Sequence, residues 1–306
     1  MVQEQPLFSI IIPTYNRPER LTACLESLTR LDYPLQNFEV IVVDDGSKTP
    51  LEPVVARFHN QLHLTLIKQT NAGPASARNT GAKEARGKYL AFTDDDCAPA
   101  PDWLTTLAAH FTKVPDCMVG GRTLNALENN LYSTASQVLI DFLYAYYNTG
   151  SHQSNFFASN NIALPSDLFL TLGGFDTTFP LAAGEDREFC DRWLHHGYKM
   201  IYATEVKVYH AHRLTLSTFW RQHFNYGRGA FCFHQARSYR TDGRIKVEPL
   251  KFYFNLLTYP LTQKTTQSGI LVTTLFVVSQ VANVAGFFWE KSHQSRKLTQ
   301  LKAETN

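Results

Sequence analysis

Phe8-Ser-Ile-Ile-Ile-Pro13 is a short apolar run, rich in β-branched residues and stopped by a proline, that leads into Thr14-Tyr15-Asn16-Arg17. Such a run reads as a buried strand. Beyond it, Arg17 to Leu31 carries Leu21, Leu25, Leu28 and Leu31 on one helical face, and Pro18 suits a first helical turn. Phe38-Glu-Val-Ile-Val-Val-Asp44 is a second strand, and Leu64 to Lys68 a third, closed by the turn Asn71-Ala-Gly-Pro74. Ala75 to Arg86 reads as a helix stopped by Gly87, and Tyr89-Leu-Ala-Phe-Thr93 as a fourth strand. Strand and helix alternating at this spacing predict an α/β fold, with a mostly parallel sheet covered by helices on both faces.

Residues 102 to 125 predict a further helix and a strand around Met118 and Val119. The aromatic segment 130 to 150 has no clear period and reads as helical. Asp186 to His196 predicts a helix ended by Gly197, and Tyr198 to His210 a pair of strands.

The 306 residues suffice for one large α/β domain or two small ones. A net charge of +2, with no long basic stripe, argues against nucleic acid as a partner. Aromatic residues concentrate after residue 130, where core is the plainer reading and a sugar or membrane surface the other. The five cysteines are odd in number and widely spaced, with no Cys-x-x-Cys pair, as expected for reduced thiols in a cytosol. An apolar strand begins within seven residues of Met1 without a basic leader, so no signal peptide is expected.

In parallel α/β sheets, ligands bind at the carboxyl ends of the strands. Asp44 and Asp45 end the second predicted strand, and Asp94, Asp95 and Asp96 end the fourth. Five carboxylates on one rim resist joint ionisation unless a cation neutralises them. Oxygen ligands suit Mg2+ or Mn2+. Taken singly, Asp-Gly-Ser is a common turn and a triple Asp can cap a helix. The two together, at the ends of two parallel strands, point to a metal-assisted site.

Four runs carry a resemblance: Ser9-Ile-Ile-Ile-Pro-Thr-Tyr-Asn-Arg17, Val42-Val-Asp-Asp-Gly-Ser47, Asn71-Ala-Gly-Pro-Ala-Ser-Ala-Arg-Asn-Thr-Gly81 and Phe92-Thr-Asp-Asp-Asp96. With Asn161-Ile-Ala163, Gly173-Gly-Phe-Asp176, Gly184-Glu-Asp-Arg-Glu-Phe189 and Val208-Tyr-His210, the series resembles the family 2 inverting glycosyltransferases over residues 8 to 230. The resemblance implies a glycosyltransferase A-type fold and transfer of a sugar from a nucleotide-diphosphate donor to an acceptor hydroxyl. It implies a nucleotide-sugar-binding half at 1–125 and an acceptor-binding half at 126–240 of the same domain, and composition sets apart an apolar C-terminal segment at 241–306.

By the same resemblance, Pro13, Thr14 and Tyr15 line the base pocket and Asp45 contacts base or ribose. Arg78 lies near the nucleotide and Asp94 holds the ribose, with Asp44 and Asp95 in the same donor set. Asp96 is the metal ligand, with His210 completing the site, and the ion is Mg2+ or Mn2+. Asp186 is the catalytic base, with Glu185 beside it. Plainer readings stand beside these. Glu185 and Asp186 also suit a helix's first turn. One of His210 and His212 is free to face solvent, and His195-His196 sits where a helix cap is expected. Arg221, Tyr226 and Arg228 resemble a basic segment that closes over the donor, or belong to a surface helix.

Other classes fit less well. Gly-x-Gly-x-x-Gly after the first strand and a Gly-Lys-Ser/Thr loop are both missing. A processive polysaccharide synthase would bring several apolar spans and a Gln-x-x-Arg-Trp motif; a silent sugar-binding module would not need Asp94, Asp96 and Asp186 together.

Thr265 to Trp289 holds no charged residue, and Gly269 to Trp289 matches the roughly 20 residues that span a bilayer core. A core helix, a single span and an interfacial segment are all readings of it. A span would carry Lys291, Arg296, Lys297 and Lys302 out of the cytoplasm, against the positive-inside tendency. On a helical wheel Gly269, Thr273, Ser279, Gln280 and Asn283 form a polar and small stripe, which favours the interfacial reading. A cytoplasmic enzyme at the inner face of a membrane, near a glycan or lipid-linked acceptor, is the expectation.

Overall fold

The structure is a computed structural model that describes residues 7–148, 154–179, 183–240 and 248–304, with side chains in the last stretch as far as Arg296. The expected absence of a leader falls on residues 1–6, outside the described residues, as do the side chains of Lys297 and Lys302.

Every residue of β1 (Phe8–Thr14) and β2 (Phe38–Asp44) is buried. This is why both read as unbroken apolar runs: each strand is covered on two faces. They pair in parallel from Phe8 against Phe38 to Thr14 against Asp44, so their carboxyl ends finish level. β3 (Leu64–Lys68) adds in parallel outside β2, and β4 (Tyr89–Phe92) in parallel outside β1.

Among the described residues the full sheet has eight strands, in the order β3-β2-β1-β4-β7-β6-β8-β5. β7 (Ile162–Pro165) runs antiparallel to β4 and to β6 (Cys117–Asn125). β8 (Lys199–His210) pairs in parallel with β6, and the short β5 (Cys97–Pro99) pairs antiparallel with β8. Lys199–His210 is therefore one long strand where a pair was expected over 198–210. A register shift after Gly121 sends Arg122 to Lys207 and skips 204–206, a local bulge within the strand. Asn161, 1% exposed, donates to the Arg122 and Val206 carbonyls and accepts from the Trp103 indole, which holds the bulge.

Helices cover both faces of the parallel part. Leu21, Cys24, Leu25 and Leu28 of α1 (Pro18–Leu28) pack with Ile10, Ile12, Val40 and Val42, as does Leu107 of α4 (Trp103–Lys113). α3 (Pro74–Glu84) takes the other face, with Gly81 against Ile11 and Val43. α2 (Glu52–Ala56) and α6 (Ser166–Thr171) are short. The aromatic segment is helical, as α5 (Leu131–Asn148). The predicted helix at 186–196 is α7 (Glu185–His195).

The chain divides into two compact units, each assembled from separate stretches. The first comprises Met1–Ala126, Tyr144–Thr177 and Phe189–His212; the second Leu127–Leu143, Thr178–Glu188 and Arg213–Asn306. The second is helical, with α8 (Leu216–Ser238), α9 (Leu250–Thr262) and α10 (Gly269–Glu304). Its core joins Val138 and Phe142 with Phe219, Phe252, Leu256, Val272 and Phe276. The polar stripe of α10 faces inward here. Ser279 is buried, Thr273 donates to the Leu257 carbonyl and Asn283 abuts Gly227 of α8. Gly227 and Gly286 let α8 and α10 approach closely, and Ile270, Val281 and Phe288 of α10 are left outside.

A buried carboxylate ties the first unit's strands to the entrance of β4. Glu39, 4% exposed, accepts from Ser9 Oγ at 2.7 Å, Arg86 N at 2.7 Å and Arg86 Nε at 2.9 Å. Gly87 N donates to Ser9 Oγ at 2.8 Å. A Cβ on Gly87 would lie 2.5 Å from Ser9 N and 2.6 Å from the Phe8 carbonyl carbon, both backbone atoms that cannot swing aside. Gly87→Ala is expected to cost about 3 kcal/mol, the upper end of ordinary overpacking, read as a lower urea midpoint at unchanged slope.

Candidate active site

The loops beyond β1, β2 and β4 are braced to one another. Asp45 N donates to the Thr14 carbonyl, Asn16 N donates to Ser47 Oγ at 2.8 Å, and Lys48 N to Asn16 Oδ1 at 2.8 Å. Asn16 holds this crossing with φ 56, a left-handed conformation that asparagine tolerates better than most residues. Asp44 accepts from Ser47 N at 2.8 Å and shapes its own turn. Asp45 is 4% exposed and accepts from Gln69 Nε2, Ala72 N and Gly73 N, at 2.7, 2.8 and 2.8 Å. Its carboxylate thus fixes the loop that starts α3. Of the three residues expected at the base pocket, Tyr15 is 43% exposed, whereas Pro13 and Thr14 are buried.

The three consecutive aspartates take different partners. Asp94 is the most open and receives Arg78 Nη2 at 2.6 Å. Asp95 turns inward, accepting from Thr14 Oγ1 at 2.8 Å and Arg17 Nη1 at 3.2 Å. Burial pushes its carboxyl up to about 6, against the pull of the Arg17 guanidinium. Asp96 receives Arg20 Nη1 at 2.6 Å on one oxygen, and His210 Nε2 lies 3.1 Å from the other. Burial opposes its ionisation, but the His210 hydrogen bond and nearby positive charge outweigh this and hold it well below the usual carboxylate range.

The pairing of Cys97 with His210, the first residue of β5 against the last of β8, sets Asp96 beside that histidine. Burial disfavours the imidazolium of His210, yet Asp96 raises its pKa overall. His212 stacks on His210 with ring centroids 5.0 Å apart, and burial followed by the His210 charge pushes it down to about 4. Neither histidine takes the solvent-facing place allowed to one of them; Tyr209, 44% exposed, takes it. Asp96, Cys97 and His210 each offer a ligand atom, all within 4.8 Å of one another. Burial keeps the Cys97 thiol protonated, so an oxygen from Asp96 and a nitrogen from His210 are the ready donors.

Arg17 and Arg20 were not among the expected site residues. Their signal was present: two arginines one turn apart at the start of the helix that follows β1. What they face was legible only in three dimensions.

In the second unit, Glu185 and Asp186 open α7 after Gly184, whose φ is 92. Glu185 is 4% exposed, while Asp186 is half-buried and accepts from Arg187 N at 2.7 Å. The turn before them rests on α8, where a Cβ on Gly184 would lie 3.0 Å from the Gly229 carbonyl oxygen. Glu188, 2% exposed, accepts from Arg240 at 2.7 Å. The segment Arg221 to Arg228 is a packed part of α8. Arg228 donates to Glu290 at 2.7 Å and its guanidinium lies 4.3 Å over the Trp289 ring. At the end of α7, His196 Nδ1 is 2.8 Å from the Arg192 carbonyl, as suits a cap.

A family model described as Glycosyl transferase family 2 matches residues 9–171. The chain is 28% identical over 232 residues to glycosyltransferase AglE of Haloferax volcanii, covering 75% of this chain and 74% of that one. It is 31% identical over 228 residues to validoxylamine A glucosyltransferase of Streptomyces hygroscopicus subsp. jinggangensis, covering 65% of this chain and 54% of that relative. The chain thus spans about half the length of the second relative. A solved mannosyltransferase, PcManGT from Pyrobaculum calidifontis in complex with GDP-Man and Mn2+, superposes with a TM-score of 0.65 at 21% identity, covering 94% of this chain and 88% of that one. S. aureus TarS 1-349 in complex with UDP-GlcNAc superposes with a TM-score of 0.53 at 18% identity. These structural likenesses concern the fold.

Asp45→Ala is expected to remove the acceptor for two backbone N–H groups and lower the unfolding free energy by about 1–3 kcal/mol. Hydrogen exchange at Ala72 and Gly73 should speed up selectively. Unchanged protection there would mean that the loop holds its shape without Asp45.

Proposed function

We propose, for a chain that belongs to glycosyl transferase family 2, that it performs metal-assisted, inverting transfer of a sugar from a nucleotide-diphosphate donor to an acceptor hydroxyl. The observation that carries this reading is the juxtaposition of Asp96 with His210, next to the Arg78–Asp94 pair. The Asp96 oxygen suits Mg2+ or Mn2+, the His210 imidazole nitrogen favours Mn2+ of the two, and donor phosphates and water would supply further oxygen ligands. The presence of Mn2+ and GDP-Man in the PcManGT complex supports the same choice.

In this reading Asp96 and His210 would hold the ion. Asp94, positioned by Arg78, meets the ribose, and Tyr15 covers the base from its exposed place. Asp44, Asp45 and Asp95 act through the loops and side chains they brace. Arg17 and Arg20 balance the negative charge of Asp95 and Asp96. When bound, a divalent ion supplies charge neutralisation for the departing diphosphate.

Asp186 takes the proton of the acceptor hydroxyl as its oxygen attacks carbon one of the sugar. The bond to the diphosphate oxygen breaks on the opposite face, so a single displacement inverts the centre. Glu185, more buried than Asp186, supports the turn rather than touching the acceptor. The enzyme works from the cytoplasmic side of a membrane, where a glycan or lipid-linked acceptor is within reach.

Two substitutions test the assignment. Asp186→Asn keeps the shape and removes the basicity, so transfer should fall by about 10²-fold or more with donor affinity nearly unchanged. Collapse of donor affinity with transfer retained would make Asp186 a donor ligand instead. Asp96→Ala should abolish Mn2+-dependent donor binding, measured by calorimetry, while the thermal transition without donor persists. Full activity in excess chelator would refute the metal requirement.

A further inference from the structure

The outer side of α10 is more apolar than the side it buries. Ile270 is 71% exposed, Val281 54% and Phe288 59%, and Leu271, Val277, Val284 and Trp289 are also exposed. At 3.6 residues per turn these positions share one broad face. The buried side holds Val272, Phe276 and Ala282, but also Ser279, Gly286 and Glu290. α9 adds Leu250, 87% exposed, and Phe254, 69% exposed, with Tyr253 and Leu261. A helix of a water-soluble surface has the opposite pattern.

Gly269–Arg296 is long and apolar enough to cross a membrane. Its packing argues against crossing. Gly227 of α8 abuts Asn283, Gly286 abuts Phe224, and Arg228 pairs with Glu290. Gln294 Nε2 reaches Cys232 Sγ at 3.5 Å. α10 can therefore enter a bilayer core only with α8, which carries Arg221, Arg228 and Arg237. Exposed charge on α9, α10 and the loop between them has one sign. Between Pro249 and Arg296 the exposed charged residues are Lys251, Lys264, Lys291 and Arg296, and the one acid, Glu290, is buried against Arg228.

We infer that the outward face of α9 and α10 lies in the plane of an anionic lipid surface, apolar side chains among the acyl chains and lysines at the headgroups. This deepens the membrane location proposed above and rests on it. A second copy of the chain would bring a second set of these four cations to the same face, which anionic lipid avoids. Trp289, on this face and stacked on Arg228 and His293, suits the boundary between headgroups and acyl chains.

The test uses the full chain with phosphatidylcholine vesicles, with and without about one-third phosphatidylglycerol, in flotation. The expected result is binding to the anionic vesicles and at least tenfold weaker binding without phosphatidylglycerol. Val281→Glu with Phe288→Glu should reduce binding to the anionic vesicles by at least tenfold, with the circular dichroism and the transfer rate to a soluble acceptor unchanged. Lys291→Gln with Arg296→Gln should narrow the difference between the two vesicle types. Binding that survives the double glutamate variant, in a chain whose fold is intact, overturns the inference. So does a chain that ignores vesicles and sediments as a dimer which the same variant splits, since the face is then a contact between copies. Loss of transfer with vesicle binding intact would instead count against the proposed chemistry and leave the docking face standing.

Discussion

Three residues of antiparallel pairing, Cys97–Pro99 against the end of β8, organise the candidate metal site. The pairing turns the chain back directly after the three aspartates and sets Asp96 next to His210, which lies 114 positions further along the sequence. The bulge in β8 is part of the same constraint. It realigns the strand so that Lys207 to His210 pair with Arg122 to Asn125, and Asn161 holds it by satisfying carbonyls of both β6 and β8. Buried polar groups of this kind tie strand register to site geometry, because losing a partner exposes an unsatisfied donor or acceptor to the core.

The aspartates show how adjacent, chemically identical groups are given different work. Asp94 stays open beside Arg78, Asp95 turns inward to Thr14 and Arg17, and Asp96 lies between Arg20 and His210. Their opposite shifts follow from this: desolvation dominates at Asp95, and favourable partners prevail at Asp96. The arginines of α1 make such crowding tolerable without requiring all three groups to lose their charge. A divalent ion would enter a site whose electrostatics are already partly balanced.

The helical unit follows another logic. Glycines and polar side chains lie where the later turns of α10 meet α8, Val272, Leu275 and Phe276 fill the core nearer its start, and a second set of large apolar residues lies outside. Close approach needs small residues, and the paired Arg228 and Glu290 sit within this contact instead of facing solvent. The periodicity of α10 identifies a polar stripe and an apolar stripe, but a wheel has no partner drawn on it. Which stripe turns inward depends on α8, and α8 comes from a distant part of the chain.

The sequence by itself determined the parallel α/β start of the fold, since β1 and β2 are buried on both faces and must be apolar throughout. It also determined the family, and the resemblance singled out Asp94, Asp96, Asp186 and His210 as the polar groups to watch. The tertiary structure decided their partners. β5 is three residues long, too short for any period to reveal, and the bulge in β8 exists only in its pairing with β6. Arg17 and Arg20 acquire meaning only when α1 is laid across the sheet, and the two units are each gathered from stretches that the linear order separates. Local signals report whether a residue can form a strand or a helix; strand pairing and helix packing, which act between distant residues, determine what that residue meets.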